Sequence, residues 1–286
     1  MRPMDNAAIA GALDHVAQLL EVQQGSPVRV ATFRNAARVV AALGRPVSEL
    51  LDAGAAEQIS ALGPSAAASV RELAKTGRLP LLARLEGEVS PEDQFRTVPG
   101  IGDTFARRIH EFLGIETLEE LEQAAVDGRL EHLPGLGPRR AKQVQEVLAK
   151  RLGEASQHPP ERPHVDALLA VDSEYRLQAK AGKLPRITPR RFNPTHQQWL
   201  PILHLERDGW SYAAVFSNSA RAHRLGRTGD WVVLYFERDG FEDQCTVYTQ
   251  TQGSLSGRRV VRGREAECAA LIAAPGAAAE GERRQA

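Results

Sequence analysis

The sequence predicts an all-α first half followed by an α+β second half built on an antiparallel sheet. Two observations carry this. In residues 1–153 apolar side chains recur at helical spacing, and Gly and Pro interrupt them at short intervals. In residues 164–274 apolar runs rich in aromatic and β-branched residues flank Asp-Gly dipeptides, a strong local signal for a β-hairpin. Residues 154–163 lack periodicity and read as a linker, and the small, charged tail 275–286 reads as disordered.

The elements follow in order. Ile9, Leu13, Val16, Leu19 and Leu20 mark a first helix, and Phe33, Ala36, Ala37, Val40 and Leu43 a second, joined through Gly25-Ser26-Pro27. Further breaks fall at Gly44-Arg45-Pro46, Gly63-Pro64, Gly77 and Pro80. Beyond the linker, Val165–Ala181 reads as one helix. "WLPILHLE" and "WSYAAVFS" then flank Asp208-Gly209, and "WVVLYFE" and "QCTVYTQT" flank Asp239-Gly240. Between the hairpins, "SNSARAHRLG" predicts a short helix with Ser217 or Asn218 as cap and Gly226 at its exit, and a last helix covers Arg264–Ile272. The second half is therefore expected to hold about four antiparallel strands with helices on one face.

Composition excludes little. The 286 residues carry 36 basic and 36 acidic side chains, 18 and 20 of them in residues 1–153 and 18 and 16 in the remainder. A polyanionic partner must therefore be met by local arrangement and not by a global field. Cys245 and Cys268 are far apart and form no CxxC pair, so they read as reduced buried thiols and not as zinc ligands. No run of 18 apolar residues predicts a membrane span, and the N-terminus lacks an apolar signal core. The expectation is a cytoplasmic protein without a membrane partner.

One pattern is written twice. "VPGIGDTFARRI" spans Val98–Ile109, and "LPGLGPRRAKQV" spans Leu133–Val144. Pro99 and Pro134 stop a preceding helix. Gly100, Gly102, Gly135 and Gly137 permit tight turning and close approach of the backbone to a ligand. A new helix then opens with unsatisfied amides at the positive end of its dipole, a ready phosphate cradle. Pro138 suits the first helical position. Ile101 and Leu136 plug each turn into its own core. Ala106, Ile109, Phe112 and Leu113 are expected to face inward from the first of these helices. Arg107, Arg108, Arg139, Arg140 and Lys142 bring positive charge to the corners. Asp103 opposes it locally, which ranks the second corner above the first.

This constellation resembles the helix-hairpin-helix motif of DNA-binding and repair proteins, so the first half is identified as an all-α domain with tandem helix-hairpin-helix motifs. The resemblance reaches further. The opening from Asn6 to Leu43 and "KTGRLPLLARL" (Lys75–Leu85) are similar to the N-terminal lyase-type and finger-type regions of bacterial family X DNA polymerases, and residues 5–152 share that resemblance. The departures are specific. The hairpin expected before Thr76-Gly77 reads Ser60-Ala61-Leu62-Gly63-Pro64, a degenerate copy. The position matching the family's lyase lysine is Ser69, which cannot form a Schiff base. No Asp-x-Asp pair follows Gly153, and the polymerase palm and the histidine-rich phosphoesterase domain are not found. Asp172-x-Glu174 is expected on a solvated helix face.

The resemblance implies sequence-independent binding of duplex, nicked or gapped DNA through backbone phosphates, in DNA repair or DNA metabolism, in bacterial, nucleoid-associated cytoplasm. The implied DNA contacts are Gly100, Ile101, Gly102, Arg107, Arg108, Gly135, Leu136, Gly137, Arg139, Arg140 and Lys142. No cofactor is required, although such hairpins take a monovalent cation, K+ or Na+. The second half resembles regions that accompany hairpin domains in bacterial proteins and implies no activity.

Its basic clusters offer either solvated loops or a second nucleic-acid surface: Lys183, Arg186, Arg190 and Arg191; Arg221, His223, Arg224 and Arg227; Arg258, Arg259, Arg262 and Arg264. Phe192, Trp199, Trp210 and Trp231 lie among them, as core residues or as stacking platforms for bases. His196, His204 and His223 lack ligand spacing and read as structural. An alternative reading is a nuclease or lyase in residues 164–274, drawing on Asp172, Glu174, Arg190, Arg191, His196, His223 and Glu265. A set of Ser217, Asn218 and His223 lacks a nucleophile elbow.

Overall fold

A computed structural model describes residues 4–54, 57–87, 92, 95–96, 98–115, 118–154 and 162–273. Most of the linker and the tail from residue 274 onward lie outside these residues. The helices are α1 (Asn6–Val22), α2 (Pro27–Ala42), α3 (Val47–Asp52), α4 (Glu57–Ser60), α5 (Pro64–Thr76), α6 (Pro80–Leu85), α7 (Asp103–Arg108), α8 (Leu118–Val126), α9 (Pro138–Glu154), α10 (Val165–Lys180), α11 (Ala220–Arg224) and α12 (Glu265–Ala273). A π-type turn, Ile109–Leu113, continues α7, and a 3-10 turn, Arg129–His132, precedes α9.

The strands are β1 (Arg186–Ile187), β2 (Leu200–Arg207), β3 (Trp210–Phe216), β4 (Val232–Arg238), β5 (Phe241–Thr249) and β6 (Arg259–Val261), in the spatial order β1-β2-β3-β4-β5-β6. The sheet is antiparallel. At one edge Arg186 pairs with Pro201, and at the other Val247 pairs with Val261. Both expected hairpins close through consecutive left-handed residues, Asp208 (φ 52°) and Gly209 (φ 75°), then Asp239 (φ 54°) and Gly240 (φ 81°). This is the turn whose twist matches the flanking strands. The sheet has six strands where about four were expected. The two additions, β1 and β6, are two and three residues long and too short for alternation to register. The cap of α11 is Ser219, not Ser217 or Asn218; its hydroxyl accepts from the Ala222 amide at 3.2 Å.

The chain forms two compact units, and neither is one stretch of sequence. One comprises Met1–Val89, Gly182–Ala213 and Tyr235–Asp243; the other comprises Ser90–Ala181, Ala214–Leu234 and Gln244–Ala286. These units do not divide at the sequence boundaries of 153 and 164, because each combines a helical segment with parts of the second half.

In the first unit α1 and α2 pair across Gly25, whose amide donates to Leu20 O at 2.7 Å. Asp5 caps α1 by accepting from the Ala8 amide at 2.7 Å. Ile9, Leu13, Val16, Phe33, Val40, Val70 and Leu73 fill the core. Polar contacts tie the helices to the strands of this unit. Gln23 Nε2 donates to Leu85 O at 2.6 Å, and its Oε1 lies 3.1 Å from His204 Nε2 on β2. Arg84 pairs with Glu242 through both guanidinium arms and lies over the Tyr235 ring at 4.3 Å. Burial, with the charges of Arg84 and Arg29, pushes the His204 imidazole down to about 3.

In the second unit a separate core joins Phe95, Val98, Ile101, Ala106 and Ile109 to Leu121, Leu130, Leu133, Leu136, Val144 and Leu148. Phe112, expected to face inward, is instead 68% exposed. The π-type turn from Ile109 adds residues per turn and rotates the later side chains out of the phase that a regular helix would give.

Candidate nucleic-acid interface

The two repeated segments fold alike. Ile101 N–H donates to Val98 O at 3.0 Å, and Leu136 N–H donates to Leu133 O at 3.0 Å. Proline occupies the second place of each turn and glycine the third, with φ 92° at Gly100 and 84° at Gly135. That is a type II turn, whose third residue must take a positive φ. Gly102 and Gly137 then open the helices, their carbonyls accepting from Ala106 N–H at 2.9 Å and Ala141 N–H at 3.1 Å. Ile101 and Leu136 are 4% and 1% exposed. Burying each stabilises its corner by roughly 1.5–3 kcal/mol.

The degenerate copy solves the same problem differently. Leu62 N–H donates to Ile59 O at 3.1 Å, so the turn persists. Ala61 stands where the first glycine would be and takes no positive φ; Gly63 takes it instead, at 87°. An L-residue with a Cβ resists the left-handed region, so the reversal moves downstream. Ser69, at the lyase-lysine position, is buried and its hydroxyl donates to Ser65 O at 3.1 Å within α5.

The corners face open space. A Cβ built on Gly100, Gly102 or Gly137 would meet nothing within 4 Å. Gly135 is different: a Cβ there would lie 3.4 Å from Arg108 Nη1 and 3.7 Å from the Phe105 ring. The first hairpin thus rests against the second. Arg108 Nη1 donates to the Pro134 carbonyl, and the Arg108 and Arg140 guanidinium carbons lie 5.9 and 4.9 Å from the Phe105 ring centroid.

The expected contact residues therefore divide. Gly100, Gly102 and Gly137 line open corners. Ile101 and Leu136 are plugs. Arg108 joins the two hairpins, and Arg140 stacks on Phe105. Arg107, Arg139 and Lys142 are exposed and have no ion-pair partner among the described residues. Asp103 does not cap its helix, where Gly102 holds the cap position; its carboxylate meets Arg96 Nη1 at 2.8 Å. The charge expected to oppose an anion at the first corner is thereby countered. Sequence reasoning passed over Phe105 and Arg96. The spacing of Phe105 and Arg108, one helical turn apart, was a usable signal for the first.

The second-half candidates are mostly spoken for. Asp172, expected on a solvated face, is 1% exposed and accepts from Arg259 at 2.6 and 2.9 Å. Glu265 accepts from Tyr248 Oη at 3.1 Å, and Arg190 donates to Glu86 at 3.0 Å. His223 Nε2 lies 2.6 Å from Asn218 Oδ1, whereas Ser217 Oγ lies 3.0 Å from Ser219 Oγ, so no hydroxyl–imidazole pair forms. Arg190, Arg191 and His196 fall in the first unit, and Asp172, Glu174, His223 and Glu265 in the second. No group of three His, Cys, Asp or Glu among the described residues is placed to hold a metal ion. Trp210 and Trp231 are buried, as the core reading expects, with Arg238 over the first at 4.2 Å and Arg262 over the second at 4.5 Å. Cys245 and Cys268 are buried and not joined in a disulfide. No described helix is long and apolar enough to cross a membrane.

Residues 4–79 match the family described as helix-hairpin-helix domain, and residues 92–150 the SAM-like helix-hairpin-helix tandem. Over 162 residues the chain is 27% identical to DNA polymerase/3'-5' exonuclease PolX of Bacillus subtilis (strain 168), an overlap covering 56% of this chain and 27% of that relative. The matched stretch thus spans about a quarter of the relative's length. The degenerate corner at Ser60–Pro64 lies inside the first match. Helix-hairpin-helix regions indicate DNA binding, and together the matches support a DNA-binding chain related to the N-terminal region of family X polymerases.

Proposed function

We propose that the protein binds duplex, nicked or gapped DNA without sequence preference, through backbone phosphates, in DNA repair or DNA metabolism. The observation that carries this reading is the open space over Gly100, Gly102 and Gly137 beside the exposed cations Arg107, Arg139 and Lys142. A phosphate reaching either corner meets glycine backbone, the start of a helix and a cation together. Binding is the whole of the proposed activity; no nucleotidyl transfer or lyase step is included.

A monovalent cation, K+ or Na+, belongs to the same reading and fits the first corner better than the second. At the second, the Arg108 guanidinium already occupies the Pro134 carbonyl. At the first, the Pro99 carbonyl has no such partner among the described residues. A further nucleic-acid contact falls to the exposed Lys183, Arg186 and Arg191.

The test is a gel-shift panel of duplex, nicked, gapped and single-stranded DNA across a salt titration. Affinity is expected to fall steeply and log-linearly with salt and to be the same for unrelated sequences, because neutralised phosphates release counterions. A flat salt response, or one preferred sequence, overturns the reading.

A further inference from the structure

In the first unit, the loop of residues 188–199 between β1 and β2 is held from inside by one side chain. Asn193 is 5% exposed. Its Nδ2 donates to Pro189 O at 3.0 Å and to Gln197 O at 2.8 Å, and its Oδ1 accepts from Gln197 N–H at 3.0 Å. A single buried amide thus ties the two arms of the loop together, with its own polar atoms satisfied. The base of the loop is fixed to the exit of α6. A Cβ on Gly87 would lie 2.7 Å from Thr188 O and 2.9 Å from Pro189 Cα, and Arg190 Nη2 donates to Glu86 at 3.0 Å.

This frame displays Phe192. The residue takes φ 53°, a left-handed conformation that a bulky side chain resists, and it is 50% exposed. Asp208 and Asp239 take such values because a hairpin turn requires them. At Phe192 the surrounding bonds hold an unfavourable backbone, and the outcome is a ring with half its surface in solvent. No other aromatic side chain is exposed among the described residues of the first unit. The neighbouring charge has one sign. Residues 182–205 include no carboxylate, and Lys183, Arg186, Arg190 and Arg191 are all exposed. Arg190 meets Glu86, whereas Lys183 and Arg186 have no ion-pair partner among the described residues.

A cationic surface without carboxylates suits a polyanion. An exposed ring beside it suits a flat apolar face. Single-stranded nucleic acid offers both, since its phosphates are continuous and its bases are unpaired. A duplex keeps those faces inside its stack. A membrane surface asks for a broad apolar face, but the exposed residues 195–198 that follow the ring are polar.

We propose that the 188–199 loop binds single-stranded DNA, with Phe192 stacked on a base and Lys183, Arg186 and Arg191 meeting the phosphates on either side. This names the ligand of the further nucleic-acid contact read above. The choice of DNA over RNA rests on the hairpin reading; the stacking does not. The full chain is to be titrated by fluorescence anisotropy with a labelled oligo-dT of about 12 nucleotides, an abasic strand and an oligo-rU of the same length, and a duplex. Phe192→Asn is expected to weaken oligo-dT binding about tenfold and to leave the duplex unchanged. Asparagine accepts a positive φ, so this variant should melt no lower than wild type, which separates lost stacking from a disturbed fold. Wild type should bind the abasic strand about tenfold more weakly than oligo-dT, and Phe192→Asn should bind the two alike, because no ring is left to stack. Lys183→Gln and Arg186→Gln should each lower the slope of log affinity against log salt for oligo-dT by about 0.7. Gly137→Val should weaken the duplex and leave the Phe192 effect on oligo-dT intact. Oligo-dT binding that Phe192→Asn leaves unchanged overturns the proposal, and so does equal affinity of wild type for the abasic strand, a comparison that needs no variant. Tighter binding of oligo-rU than of oligo-dT overturns the choice of DNA. If the duplex binds and oligo-dT does not, the loop proposal falls alone. If oligo-dT binds through Phe192 and no duplex binds, the hairpin reading falls alone.

Discussion

Arg259 holds Asp172 across 87 residues of chain, Nε to Oδ2 at 2.9 Å and Nη2 to Oδ1 at 2.6 Å, while its Nη1 reaches Asp230 Oδ1 at 2.7 Å. The pair locks α10 to β6 in the second unit. Asp172 has almost no contact with solvent, so Arg259 stands in for the water that its carboxylate lacks.

Removing Arg259 leaves the Asp172 charge buried and uncompensated, whereas without Asp172 the arginine still has Asp230. Arg259→Ala is therefore expected to lower unfolding stability by about 3–5 kcal/mol, and Asp172→Ala by less. Arg259→Lys should recover only part, since an ammonium cannot make both contacts at once. Urea denaturation of the full chain measures it.

The hairpin glycines separate folding from binding. Gly137 has open space where a side chain would go and no positive φ. Gly137→Val should leave thermal stability near wild type and weaken every DNA alike by tenfold or more, because the isopropyl group stands where the phosphate would. Gly135→Val should instead cost about 1–3 kcal/mol of stability, since a β-branched residue resists φ 84° and its Cβ meets Arg108. Melting curves and gel shifts on the same two variants distinguish the effects.

The elements that were legible in the sequence are those whose signal is local. Asp208-Gly209 and Asp239-Gly240 declare their turns because two consecutive left-handed residues admit few residue types. Pro-Gly-aliphatic-Gly declares a type II turn for the same reason. Phe112 misled because a regular helical phase was assumed and a π-type turn intervened. Asp172 misled because its partner lies on a distant strand that the sequence did not reveal.

Charge at the corners should be countable. Arg107→Gln, Arg139→Gln and Lys142→Gln each remove one exposed cation without a partner to strand. Each should reduce the slope of log affinity against log salt by about 1 and weaken all sequences equally. Arg108→Gln should behave otherwise: it releases the Pro134 carbonyl and loosens one hairpin from the other, so stability falls along with affinity. Anisotropy titrations at several salt concentrations, beside a melting curve for each variant, measure both.

His204 makes the first unit sensitive to acid. Its folded-state pKa, about 3, lies below the ordinary value of 6.5, chiefly through burial and then through Arg84 and Arg29. The unfolded chain therefore binds a proton that the folded chain refuses. The contribution is complete above pH 6.5 and is lost progressively as pH falls toward 3. Between pH 7 and pH 4 this amounts to about 3 kcal/mol of stability. His204→Gln cannot take that proton, and its side-chain amide can still donate to Gln23. Unfolding free energies measured at pH 7 and pH 4 should differ less in the variant than in wild type by about that amount; equal pH dependence in the two proteins would remove His204 from the account.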